Sequence, residues 1–131
     1  YSYVPYKEWA VSLGLVERGF FHDPRNHYDR LVHFSFGVLF FPYFVYVCRK
    51  WVKQSSVVAV FMAWLMVQTG SMIYELFEWL LTIVMSSDVA DNYNGQQGDM
   101  WDAQKDMAMA LVGSTGMLMT YMLRCVIVRR K

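Results

Sequence analysis

Charged residues are scarce in this chain of 131: they make up 18% of it, against about a quarter in an ordinary soluble domain. The 12 basic and 11 acidic residues nearly cancel, leaving a net charge of +1. That balance excludes an electrostatic nucleic-acid binder and an acidic disordered tail. Only two cysteines are present, Cys48 and Cys125, far too few for a disulfide-stapled secreted scaffold. There is no glycine-rich phosphate loop, no Cys-x-x-Cys pair, no His-Glu-x-x-His helix, no serine-nucleophile motif and no repeat. Apolar residues fill the chain instead: 56% are hydrophobic and 18% aromatic, and ten are Met. A single domain of this size has too much surface to be kept wet by so few charges. Composition therefore points to a membrane protein.

The charges are spaced so as to leave three long apolar windows. Leu31–Cys48 is an 18-residue run between Arg30 and Arg49 whose only ionisable group is His33. Gln54–Tyr74 is a run of 21 that continues past Glu75 and Glu78 to Met85, and Met107–Leu123 is a run of 17 extended beyond Arg124. Crossing the hydrocarbon takes about 20 helical residues. The pattern predicts an all-α, polytopic transmembrane bundle with three spans near 28–48, 56–86 and 102–128, the first kinked at Pro42. A soluble core helix can also be apolar all round, but here all three long segments are apolar and little amphipathic helix is left to cover them. Tyr1, Tyr3, Tyr6 and Trp9, followed by Val11, Leu13, Leu15 and Val16, suit an N-terminal interfacial segment. Residues 86–98, with Asn92, Asn94, Gly95 and Gly98, read as a turn region.

Loop charges set a direction. Arg49, Lys50, Lys53, Arg124, Arg129, Arg130 and Lys131 mark one face with no acid among them. Asp23, Asp29, Asp88, Asp91, Asp99, Asp102 and Asp106 mark the other. The positive-inside tendency makes the cationic face cytoplasmic, with the C-terminus on that side and the acidic loops outside. Cys48 and Cys125 then lie near the reducing side and read as free thiols. The N-terminus falls outside, yet the chain opens at Tyr1 without a signal peptide. The expectation is a single membrane domain over 1–131 that follows further transmembrane helices upstream.

Ionisable residues inside the spans carry the functional signal. Asp29 and His33 are spaced i, i+4. Glu75 and Glu78 are i, i+3 and continue a stripe with Gln68, Ser71 and Thr82. Asp99, Asp102 and Asp106 open the third span on one face, continued by Met109, Gly113, Gly116 and Thr120. At about 1.5 Å per residue, Glu75 and Glu78 sit roughly 10–15 Å below the outer end of their helix, and His33 roughly 6–9 Å below the same side. An up-down-up order thus brings acids from three helices to one level. A charge at bilayer depth costs about 2.5–3.5 kcal/mol even on the lenient insertion scale, so the cluster must be protonated, paired with Arg30 or Lys105, open to water, or neutralised by a cation. A divalent metal meets that need directly, and one imidazole moves the preference to Zn, Mn or Fe over Ca or Mg. The ligands expected for one or two such ions are Glu75, Glu78, Asp106 and His33, completed or oriented by Asp29, Asp99 and Asp102, with Arg30 and Lys105 balancing charge behind them. Gly113 and Gly116 are expected to allow close helix approach, and His22 and His27 to be solvated loop residues. Copper on the methionines, Met100 to Met122, is a weaker alternative, since Met also fills irregular apolar space.

Three stretches resemble the YjdF-like family of bacterial inner-membrane proteins, a domain of unknown function. These are His-Tyr-Asp-Arg-Leu-Val-His-Phe at 27–34, Tyr-Glu-Leu-Phe-Glu-Trp at 74–79 and Gln-Gly-Asp-Met-Trp-Asp-Ala-Gln-Lys-Asp-Met at 97–107. More distantly, the Asp-x-x-x-His-Phe pattern with later paired acids is similar to VanZ-like membrane proteins. The resemblance implies recurrent polar residues at Asp29, Arg30, His33, Glu75, Glu78, Gly98, Asp99, Asp102 and Asp106, and further helices upstream. Val32 stands where the family commonly has Gly. Lys105 stands where it commonly has a bulky residue, and an ammonium there would neutralise one acid internally. Two functional classes follow: a metal-binding membrane protein, with hydrolytic or lipid-directed chemistry if a coordination position is open, or a non-catalytic subunit of a larger membrane assembly in which the acids form a buried polar network. A proton or cation pathway past Gln68 is disfavoured by the apolar 57–67 stretch. Beyond the bilayer and such membrane subunits, no partner is implied.

Overall fold

The computed structural model describes residues 4–15, 25–85 and 97–129, with side chains as far as Arg124. Among the described residues four helices follow one another: α1 (Tyr6–Ser12), α2 (Tyr28–Lys50), α3 (Ser56–Val84) and α4 (Asp102–Arg129). Among the described residues there is no strand. The long helices stand where the apolar windows placed them, with ends displaced by local chemistry. α2 continues past Cys48 through Arg49 and Lys50, cations that suit the negative end of the helix dipole. It runs through Pro42, whose ring removes one backbone donor. α3 starts at Ser55, whose hydroxyl accepts from the Val58 amide at 3.4 Å, and stops at Val84 because Met85 is extended. Lys53, at φ 59°, makes the tight reversal between α2 and α3.

Each long helix buries a stripe that advances mostly by four residues. On α2 it is Asp29, His33, Gly37, Phe41, Val45 and Cys48. On α3 it is Ala59, Ala63, Val67, Ser71, Glu75 and Glu78. On α4 Asp102, Asp106, Ala110, Gly113 and Ser114 are buried. Since α3 runs against the other two, all three stripes carry acid at the same end. The other half is the apolar core of Phe41, Val45, Ala63, Val67 and Ala110. The Phe41 and Tyr121 rings, 5.7 Å apart, extend that core between α2 and α4. Between the halves, Gln68 donates to Ser114 Oγ at 2.9 Å and Trp64 Nε1 to Thr115 Oγ1 at 3.1 Å.

Outward faces are apolar on every long helix, with Leu39, Phe61, Ile73, Trp79, Val112 and Leu123 all exposed. α2 and α3 are long and apolar enough to cross a membrane, and only 28% and 22% of their most apolar windows are buried inside the structure. A soluble core helix would be mostly covered; these are not. The interior is polar at one end and the exterior greasy, the reverse of a water-soluble bundle.

Small residues set the spacing between α2 and α4. A Cβ on Gly37 would overlap the Ala110 carbonyl oxygen and lie 2.8 Å from the Ser114 nitrogen. A Cβ on Gly113 would overlap the Phe34 carbonyl oxygen and lie 3.2 Å from the Val38 nitrogen. Gly116 does not share this role: it is exposed, with nothing within 4 Å of an added Cβ. The stripe expected to continue through Gly116 and Thr120 turns outward there, because the buried face follows Ala110 and Ser114 instead.

The opening aromatic segment contains a short helix, α1, with Trp9 and Leu13 exposed. It is tied to the start of α2: the His27 amide donates to Tyr6 Oη at 3.2 Å, and Asn26 Nδ2 donates to the Val4 carbonyl at 2.8 Å. Tyr1, Tyr3, Val16, His22, Asp23, Asp88, Asp91, Asn92, Asn94, Gly95, Arg130 and Lys131 lie outside the described residues, as do the side chains of Cys125 and Arg129. Cys48 is a buried free thiol.

Replacing Gly37 by Ala is expected to destabilise the bundle by about 1–3 kcal/mol through overpacking against backbone that cannot retreat. The same change at Gly116, where an added Cβ meets nothing within 4 Å, should cost nothing and gain up to about 1 kcal/mol from helix propensity. Thermal unfolding of both variants in detergent compares them, and equal melting temperatures would contradict this account of the crossing.

Candidate metal centre

The acid-bearing end divides into two layers. The outer layer is charge-paired. Arg30 Nη2 lies 2.8 Å from Asp99 Oδ2 and 3.4 Å from Asp102 Oδ1. Arg25 also pairs with Asp102, and its Nη1 lies 3.6 Å from Asp99. Lys105 Nζ is 2.6 Å from Asp99 Oδ2. The segment before α2 and the segment before α4 are joined side by side: Gln97 accepts from the Asn26 amide and donates to the Asn26 carbonyl, both at 3.0 Å. Lys105, the Trp101 amide and Arg30 together hold the Asp99 carboxyl well below the usual carboxylate range. The two acids of this layer therefore have cations enough.

The inner layer does not. Asp29, Glu75, Glu78 and Asp106 are buried at 5%, 8%, 5% and 1% exposure, around the equally buried His33. Both carboxylate oxygens of Asp29, Oε1 of Glu75 and Oδ1 of Asp106 have no hydrogen-bond donor. Arg30 Nε comes no nearer to Asp106 Oδ1 than 3.9 Å. An effective penalty of several kcal/mol attends each buried carboxylate that stays ionised without compensation. Carboxylate oxygens of Asp29, Asp102 and Asp106 all lie within 4.8 Å of one another, a triangle of the size that surrounds one cation.

His33 stands beside that triangle with its two nitrogens in different company. Nδ1 is 3.1 Å from Ser71 Oγ. Nε2 is 3.1 Å from Glu75 Oε1 and 3.7 Å from Asp29 Oδ1. The Glu75 contact is close enough for a charged pair, but its direction falls outside hydrogen-bond alignment. Tyr74 meets the imidazole edge-on at 5.6 Å, and Glu78 hydrogen-bonds with Tyr74.

The residues singled out by sequence thus gather, with a different division of labour. Asp29, Asp102 and Asp106 form the closest carboxylate set, and Glu75 joins through His33. Asp99 precedes α4 and faces Arg25, Arg30 and Lys105, not the inner carboxylates. His27 is a correction: it is half-buried at the start of α2, and Arg30 Nη1 donates to its Nδ1 at 3.2 Å, because the helix turn places them three residues apart. Arg25 was not foreseen. Its only sequence signal is a cation in an otherwise acidic outer segment. Ser71 was visible as part of the α3 stripe but not as the partner of His33. Met100, Met119 and Met122 are exposed and share no such enclosure.

Comparison with known proteins gives two matches. The family described as "Predicted membrane protein (DUF2238)" matches residues 1–126. The inner membrane protein YjdF of Escherichia coli (strain K12) is 35% identical over 108 residues, covering 79% of this chain. The chain spans about half (50%) of that relative's length. No solved structure matches. The similarity to VanZ-like proteins rests on its motif alone.

Two of the three cations of the outer layer should differ in worth. Arg30→Met strips a half-buried partner from Asp99 and Asp102, which keep Arg25 and Lys105, and is expected to cost about 1.5–3 kcal/mol. Lys105 is half-exposed, so Lys105→Met should cost about 1 kcal/mol or less. Chemical unfolding in detergent measures both; equal losses would contradict the layering.

Proposed function

Since the chain belongs to the DUF2238 family of predicted membrane proteins, we propose that it is an integral membrane protein that binds a divalent metal ion in the Asp29–Asp102–Asp106 triangle. The observation that carries this reading is the set of donor-less, buried carboxylate oxygens on Asp29 and Asp106. A cation supplies the charge that Arg25 and Arg30 do not deliver to them, and carboxylates projecting from facing bundle helices are how such ions are held in other proteins. An all-oxygen triangle accepts Mn, Mg or Ca. The neighbouring imidazole shifts the choice toward Mn, Fe or Zn. Asp29→Asn and Asp106→Asn, each compared with wild type by elemental analysis after Mn(II) or Zn(II) loading in detergent, should lose most of the bound metal. Metal content unchanged by both substitutions, or absent from wild type, would remove the site. Either result would favour the second reading, a non-catalytic membrane subunit, for which the ion pairs of Asp99 with Arg25, Arg30 and Lys105 are the supporting feature.

The topology proposed with it has α4 crossing alongside α2 and α3. At 28 residues it is about 42 Å long, and it packs against α2 from the Asp102 end to Tyr121. Among the described residues Arg49, Lys50, Lys53 and Arg124 lie toward one end and the inner acids toward the other, so the cationic end is assigned to the cytoplasm and the acidic end to the outer side. A reporter enzyme fused after Lys131 should be active only if it is the kind that works in the cytoplasm. Activity of a periplasm-dependent reporter there would reverse the orientation.

A further inference from the structure

Metal in the Asp29–Asp102–Asp106 triangle leaves one problem in the inner layer untouched. Glu75 is not part of that triangle, yet it is buried, and its Oε1 has no donor although it lies 3.1 Å from His33 Nε2. We propose that the cluster takes two divalent cations, the second held by His33 Nε2, Glu75 and Asp29, with Asp29 bridging the pair. This rests on the reading of the triangle as a metal site and extends it.

Three features of the geometry support a second ion. Donors on one ion with bonds of about 2.0–2.1 Å sit roughly 3.0–3.4 Å apart, and the His33–Glu75 separation of 3.1 Å falls in that range. The far nitrogen of His33 is already engaged by Ser71 Oγ at 3.1 Å. With Nδ1–H donating to that hydroxyl, one of the two tautomers the contact accommodates, Nε2 is free to ligate, the usual arrangement behind a metal-bound imidazole. Asp29 lies between the two donor sets, 3.7 Å from His33 Nε2 on one side and within the carboxylate triangle on the other. Neither of its oxygens is hydrogen-bonded, which is the condition a carboxylate needs to give one oxygen to each of two ions. Bridged pairs of this kind sit about 3.5–4 Å apart and suit Mn, Fe or Zn.

Ser71 is then a positioning residue for the second ion. The test is a titration of the purified protein with Mn(II), read by elemental stoichiometry and by electron paramagnetic resonance. Wild type should bind two ions per chain with a spin-coupled signal. Glu75→Gln should bind one, with an uncoupled signal. Ser71→Ala should still reach two, but with affinity for one of them lowered by about 10–100-fold, and Ser71→Thr should restore it. One uncoupled ion in wild type, unchanged by Glu75→Gln, would overturn the two-ion centre and leave the triangle standing. No bound ion in wild type would overturn both.

Discussion

The molecule is organised around buried carboxylates in a place where neither lipid nor apolar side chains can solvate them. Six acids meet at one end of a three-helix bundle: Asp29, Glu75, Glu78, Asp99, Asp102 and Asp106. Arg25, Arg30 and Lys105 reach Asp99 and Asp102 and hold together the segments that lead into α2 and α4. Of those cations only Arg30 approaches the inner layer, with its Nε 3.9 Å from Asp106 Oδ1. Asp29, Glu75 and Asp106 keep oxygens with no donor, and a fold that retains such atoms must neutralise them, either by protonation or by a compensating charge. The metal reading follows from that requirement and not from any motif.

The same stripes that gather the acids also build the scaffold. A stride of four carries α2 from Asp29 through His33 and Gly37 to Phe41 and Val45, so ligand, spacer and core share one face. The small residues in the middle matter to the site as much as to packing. Gly37 and Gly113 let α2 and α4 approach until backbone nearly meets backbone. One helical turn from Gly37 on α2 is His33, and two turns before Gly113 on α4 is Asp106. Widening that crossing would separate the donors. The opposite half, from Val67 to Ala59 on α3, is fully apolar, and this anchors the polar end without offering it a route across.

Much of this was legible in the sequence. The apolar windows gave α2, α3 and α4, and the acids at matching depth gave the cluster, because hydropathy and the 3.6-residue period survive without tertiary information. Family membership, suggested by the residues at 27–34, 74–79 and 97–107, is confirmed by the match over 1–126. What sequence could not resolve was pairing across helices. Asp99 and Asp102 look alike as helix-start acids, yet one faces Lys105 and the other joins the triangle. Gly113 and Gly116 look equally suited to a close crossing, yet only the first faces α2. Arg25 depends on two loops meeting through Asn26 and Gln97, a contact between residues 71 positions apart. Such choices turn on rotations of a few tens of degrees, which no periodicity encodes.

The central claim, that the inner carboxylates and His33 surround metal, is tested most directly by X-ray absorption at the metal edge of protein loaded with Mn(II) or Zn(II). The account predicts oxygen and nitrogen donors near 2.0–2.2 Å together with the outer-shell scattering of one imidazole, the latter lost in His33→Ala. A spectrum of a fully hydrated ion, with neither carboxylate nor imidazole scattering, would contradict it, and carboxylate scattering without imidazole would remove the second ion alone.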